Sequence, residues 1–169
     1  MHHLKYDNLH KRPQVKLLDE MTVRKTAQSS TSDLVEAVEK MCRVLIAQPD
    51  PMIVPIYAFQ IDKAPAGTGG YFEYHYDMLR LGILSQEEKK LVDYLAYPSS
   101  IYASYIAQES EHYPALVVFM KEMLRQGRYN DRHSGNVLKD EDGHYRIIDL
   151  EGFMHYPLEN KANDWFRKG

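Results

Sequence analysis

Residues 129–153 read Tyr-Asn-Asp-Arg-His-Ser-Gly-Asn-Val-Leu-Lys-Asp-Glu-Asp-Gly-His-Tyr-Arg-Ile-Ile-Asp-Leu-Glu-Gly-Phe. Within this stretch Asp131 and Asn136 stand five apart, and Asn136 and Asp149 thirteen apart. Asp142-Gly143 is a pair that favours the type I′ hairpin turn, whose positive φ angles match the twist of the flanking strands. A two-residue loop there pairs 141 with 144 and 140 with 145, so the register predicts that Asn136 faces Asp149. An amide oxygen and a carboxylate then converge at the open end of a hairpin, with Asp131 one loop away. Such a group suits Mg²⁺, which takes hard oxygen ligands together with substrate phosphates and water. Glu151, two residues beyond Asp149, lies on the same side of a continuing strand and is a candidate second metal ligand. His133 is read as a buttress of the loop, and Arg132 as a partner for phosphate or an acidic neighbour.

The order Asp-x-x-x-x-Asn, hairpin, Asp-Leu-Glu-Gly resembles the catalytic loop and metal motif of the kinase fold. Asp-Arg-His-x-x-Asn is similar to the catalytic loop of phosphoinositide and related atypical kinases. His-Ser-Gly-Asn-Val-Leu is similar to the corresponding stretch of aminoglycoside-type phosphotransferases and small phage-encoded kinases. The resemblance implies an α+β, kinase-like two-lobed fold with a reduced N-lobe sheet and a truncated helical C-lobe. It implies an ATP- and Mg²⁺-dependent phosphotransferase moving the γ-phosphoryl group to a hydroxyl acceptor, a protein being one acceptor it allows. In such chemistry the protein mainly positions groups and offsets charge. Asp131 would orient or deprotonate the acceptor, while Asn136 and Asp149 would hold Mg²⁺.

Upstream, Val15–Leu18 and Thr22–Ala27 read as strands joined at Asp19-Glu20, the second resembling the kinase strand that carries the phosphate-binding lysine. Lys25 is the expected residue and Arg24 the alternative, because successive strand side chains face opposite ways. A helix is expected from Asp33 to Ala47, with Asp33 and Glu36 in a capping arrangement. Leu34, Val35, Val38, Met41, Cys42 and Leu45 form its apolar face. Glu39 falls at the edge of that face and Glu36 nearly opposite, so Glu39 is the expected ion-pair partner of Lys25. Further strands are read at 53–61 and 71–76, with Gly67-Thr68-Gly69-Gly70 as the hairpin tip between them. Helical patterning follows over 79–95. Pro114 and Gly127 bound a helix from Tyr113 to Gln126. The expected lobes are 1–72 and 77–169, with 73–76 as a hinge-like segment and Glu73 to Met78 offering backbone groups to adenine.

With 169 residues, 44% of them hydrophobic, the chain can bury a usable core. Its net charge of -3 gives no reason to expect nucleic-acid binding. A single cysteine, Cys42, excludes an internal disulfide and points to a reducing compartment. The longest apolar runs are too short to span a bilayer, so the expectation is a soluble, cytoplasmic protein. No glycine precedes Gly67, so the Gly-rich nucleotide loop of ordinary protein kinases is absent, as it is from aminoglycoside-type enzymes. Only 17 residues follow Gly152, which suits a minimal kinase, one completed by a protein partner, or a pseudokinase acting as a nucleotide- or partner-binding module.

Overall fold

The computed structural model describes residues 14–67, 69–96, 107–126 and 133–154. The fold is α+β, in two compact units. One comprises the described residues up to Asp50 together with Val54–Arg80, and the other Pro51–Ile53 with the described residues from Leu81 onward.

The first unit is a four-stranded antiparallel sheet and one helix. The strands are β1 (Gln14–Leu17), β2 (Thr22–Ser29), β3 (Ile56–Lys63) and β4 (Phe72–Leu79), ordered β1-β2-β4-β3. Helix α1 (Ser32–Ala47) connects β2 to β3 and packs on the sheet. Its apolar stripe buries Val35, Val38, Met41, Cys42 and Leu45. The expected cap at Asp33 is not formed: Thr31 occupies the N-cap position without a side-chain cap bond. The chain is turned into the helix by Ser29 instead, whose hydroxyl accepts the Thr31 N–H at 3.1 Å.

Strand alternation sorts the sheet into two chemically different faces. Lys25 lies opposite Tyr76, and Ala27 opposite Tyr74, and all four are buried. Arg24 lies opposite Asp77 and Gln28 opposite Glu73 on the other face. There Arg24 makes two parallel bonds to Asp77, 2.8 and 3.1 Å long. Gln28 Nε2 donates to Glu73 at 3.2 Å. Lys25 thus lies on the buried face and Arg24 on the face that carries Asp77.

In the second unit β5 (Val137–Lys139) and β6 (Tyr145–Ile147) form a hairpin. It is accompanied by α2 (Gln86–Ala96) and α3 (Tyr113–Gln126), which pack on each other. Met52 and Ile53 extend the hairpin: Ile147 N–H donates to the Met52 carbonyl at 2.8 Å, and Arg146 Nη1 to the Ile53 carbonyl at 3.0 Å. Leu91, Val92, Leu116, Met120, Val137 and Ile147 are among its buried residues.

Three sequence expectations change here. The stretch 79–95 is not one helix, because β4 runs to Leu79 and α2 begins at Gln86. Between them Gly82 exchanges both backbone bonds with Lys139, at 2.8 and 3.0 Å, which holds that segment extended. Segment 73–76 lies inside β4, whereas the chain passes between units at Arg80 and Leu81. The strand expected at 53–61 begins at Ile56. No helix among the described residues is long and apolar enough to cross a membrane.

Candidate functional site

The hairpin forms, but its register is one residue away from the expected one. Val137 pairs with Ile147, Leu138 with Arg146 and Lys139 with Tyr145. The turn is a three-residue loop, 141–143, closed by Gly143 N–H to the Asp140 carbonyl at 3.0 Å and Asp140 N–H to the His144 carbonyl at 2.9 Å. Gly143 has φ +83°, and no described non-glycine residue has positive φ. Asp142 therefore does not adopt the type I′ conformation. This is a type I turn followed by a glycine bulge, the usual three-residue hairpin. Asp140 favours it: Oδ1 accepts from the N–H groups of both Asp142 and His144 at 2.9 Å, and Oδ2 from Arg146 Nε at 2.9 Å. Burial alone would raise the Asp140 pKa, but these donors and the nearby positive charge lower it below its ordinary value.

Asn136 consequently lies across from Ile148 rather than Asp149, with Ile148 N–H donating to the Asn136 carbonyl at 3.0 Å. Asp149 follows at the next position, partly buried. There it opens a 3-10 turn (Leu150–Met154), its backbone carbonyl accepting the Gly152 N–H at 3.2 Å. Glu151 lies within that turn, also partly buried, so it does not continue a strand past Asp149.

Asn136 ends another 3-10 turn (Ser134–Asn136) and is itself buried. His133 caps this turn, Nδ1 accepting from Gly135 N–H at 3.1 Å. Its Nε2 lies 3.1 Å from Asn136 Nδ2. Because Nδ1 accepts, neutral His133 carries its proton on Nε2, and the amide orientation that satisfies both groups turns Oδ1 toward the ring. An amide oxygen has two lone pairs, so Oδ1 can accept from His133 and still face a cation. The loop-buttressing role read for His133 is what its contacts perform. Asp131 and Arg132 lie outside the described residues.

Two residues of α2 that sequence reading did not single out hold this hairpin. Glu88 is almost fully buried. With Ser85 it forms a capping box, Ser85 N–H donating to Oε1 at 3.0 Å and Glu88 N–H to the serine hydroxyl at 3.1 Å. The same carboxylate accepts from Lys139 Nζ at 2.9 and 3.1 Å and from Tyr145 OH at 2.6 Å. Burial pushes the Glu88 pKa upward, but the hydrogen bonds from Tyr145, Ser85 and Lys139, with the lysine charge, outweigh it and bring the value to about 2. Burial and the Glu88 carboxylate together raise the Tyr145 pKa. Asp93, exposed on the same helix, accepts from Ser134 N–H at 2.8 Å and Ser134 OH at 3.0 Å. The Ser-x-x-Glu spacing was a readable signal for the first; nothing local marks the second, 41 residues from its partner.

In the sheet unit, Lys25 Nζ lies 5.6 Å from the centre of the Tyr76 ring. Glu39 is partly buried and Glu36 exposed, as the helical-face reading expects. Arg43, itself exposed, approaches Glu39 to 3.5 Å, a pair one turn apart. Such a pair is worth about 0.3–0.5 kcal/mol, too little to commit Glu39 to it.

Asn136, Asp149 and Glu151 each carry oxygen atoms of the hard type that Mg²⁺ takes. Two groups of potential ligand atoms lie close together among the described residues, Glu87 with Glu111 and His112, and Asp140 with Asp142 and His144. Both consist largely of exposed side chains, and Asp140 is already engaged in shaping its turn. No protein-family model matches this chain, and a comparison with curated proteins gives no match.

Proposed function

We propose that the protein is an ATP- and Mg²⁺-dependent phosphotransferase acting on a hydroxyl acceptor. The observation that supports the reading is the hairpin itself, whose 3.0 Å bond from Ile148 N–H to the Asn136 carbonyl leaves Asp149 one residue beyond the position across from Asn136. Asn136 Oδ1 and the Asp149 carboxylate are assigned to Mg²⁺, Glu151 to a second ion, and Asp131 to the acceptor hydroxyl. The metal would offset phosphate charge, while Asp131 would orient or deprotonate the attacking oxygen. Within the sheet unit, the succession of lysine strand, helix with a half-buried glutamate, and two further strands supports assigning Lys25 to a nucleotide phosphate. Val15, on the Lys25 face of the sheet and opposite Lys25 in register, is an exposed apolar surface suited to a base. A cytoplasmic setting with a protein or small-molecule acceptor is part of this proposal.

Thermal unfolding with ATP, with and without Mg²⁺, tests the metal assignment. ATP raises Tm more when Mg²⁺ is present, and Asp149→Ala removes that increment; an unchanged increment in the variant rejects the site. Asp131→Asn separates enzyme from pseudokinase in the same preparation. It leaves Mg²⁺-ATP affinity intact but lowers acceptor phosphorylation by roughly 10²–10⁴-fold, the scale of a positioned acid or base. Equal transfer by both proteins excludes Asp131, and nucleotide binding without any transferable acceptor favours the pseudokinase.

A further inference from the structure

The segment that would bind metal is slight: one 3-10 turn and two three-residue strands. A two-stranded hairpin is at best marginally stable in water by itself, so its geometry must be set from outside. Asp93 is placed to do this. It is exposed on α2, where a carboxylate ordinarily remains solvated, yet each of its oxygens accepts a hydrogen bond from the same residue, Ser134. Ser134 opens the turn that ends in Asn136, and Asn136 N–H closes that turn on the His133 carbonyl at 3.0 Å.

Asp93 also has a fixed base from which to act. Five residues earlier on α2, Glu88 engages both hairpin strands through Lys139 and Tyr145. Just before the helix, Gly82 holds Lys139 by two backbone bonds. The helix is thus tied to the hairpin near its turn by Glu88 and at its entrance by Asp93. A displacement of Ser134 alone would tilt the turn beneath Asn136 while the strand pairing stayed intact.

We propose that Asp93 is a positioning residue for the metal-binding loop: by gripping Ser134 from α2, it keeps the Asn136 amide where it can ligate the Mg²⁺ of a bound Mg²⁺-nucleotide. This rests on the Mg²⁺-ATP reading above. It touches neither metal nor nucleotide and acts through Ser134.

The test compares the unsubstituted protein with Asp93→Ala, Asp93→Asn and Ser134→Ala. For each, the Mg²⁺ concentration giving half of the Mg²⁺-dependent ATP stabilisation is measured, alongside Tm without ligand and the effect of ATP without Mg²⁺. Asp93→Ala raises the half-point about tenfold, the lower end of the range for groups that orient metal ligands. It leaves the two metal-free measurements near their original values. Asp93→Asn retains an oxygen for the Ser134 N–H and an amide N–H that can donate to the hydroxyl, so it restores most of the affinity. Ser134→Ala removes one arm of the grip and gives an intermediate shift, which also serves if Asp93→Ala does not fold. An unchanged half-point in Asp93→Ala, or in Ser134→Ala where that variant substitutes for it, overturns the proposal, whether or not Tm falls. If the unsubstituted protein shows no Mg²⁺-dependent stabilisation by ATP, the metal-site reading itself fails and the positioning role falls with it.

Discussion

At the scale of single residues, the tightest constraint in the candidate site belongs to Gly135. A Cβ there would sit 2.9 Å from His133 Cε1 and 3.0 Å from Nδ1. The imidazole packs directly over the glycine whose N–H it accepts, so a methyl group would force it away from Gly135 and from Asn136 together. Gly135→Ala should lower the stability of the hairpin unit by about 1 kcal/mol, the usual cost of a lost cap, and weaken the Mg²⁺-dependent ATP increment. Urea unfolding measures the first effect, and His133→Ala supplies the control. Once the ring is absent the clash is absent too, so the double variant should be no less stable than His133→Ala. A fully additive double variant would show that the ring is not what the methyl group meets.

At the scale of elements, the helices were more legible than the hairpin register. Apolar spacing located α1 and α3 because a helical stripe can be read without knowing its partner. Asp-Gly located the hairpin, but the dipeptide fits both a two-residue loop and a three-residue loop with a glycine bulge. A one-residue slip turns every side chain to the opposite face. The observed register places Lys139 and Tyr145 as a direct pair, both reaching Glu88. Their sequence separations from Glu88, 51 and 57 residues, put that contact beyond any local pattern. The depressed Glu88 pKa gives this clamp a pH signature. Its folded-state value of about 2 lies below the ordinary 4.5, so the contribution is complete above about pH 4.5 and is lost as pH falls toward 2. Glu88→Gln should cost about 2 kcal/mol at neutral pH, on the scale of hydrogen bonds to a charged group. The two proteins should converge in stability between pH 4.5 and 2.5. Denaturant titrations across that range provide the check, and a difference as large at pH 2.5 as at pH 7 would contradict the assignment.

At the scale of the whole molecule, the sequence resolved an α+β chain and nominated Lys25 over Arg24, but strand alternation alone did not decide between them. Their neighbours set them apart: Arg24 meets Asp77 across the strand, and Lys25 lies on the face with Tyr74 and Tyr76. The division at Arg80 was equally hidden, because it depends on Gly82 pairing with Lys139 far along the chain. Two compact units with separate buried sets need not share one unfolding free energy. The chain contains one cysteine, and Cys42 is fully buried on α1 in the sheet unit. Its thiol is therefore a clock for that unit alone. A thiol-directed chromogenic reagent should react in proportion to the fraction of that unit that is open, whatever the hairpin is doing. If Lys25 holds nucleotide phosphate, ATP at 100 times its Kd should slow labelling about 100-fold under pre-equilibrium opening, and Lys25→Ala should abolish the slowing. Unchanged labelling at saturating ATP would remove Lys25 from the nucleotide site. A residue with no assigned chemistry thus lets the sheet unit be timed by itself, without cutting the chain.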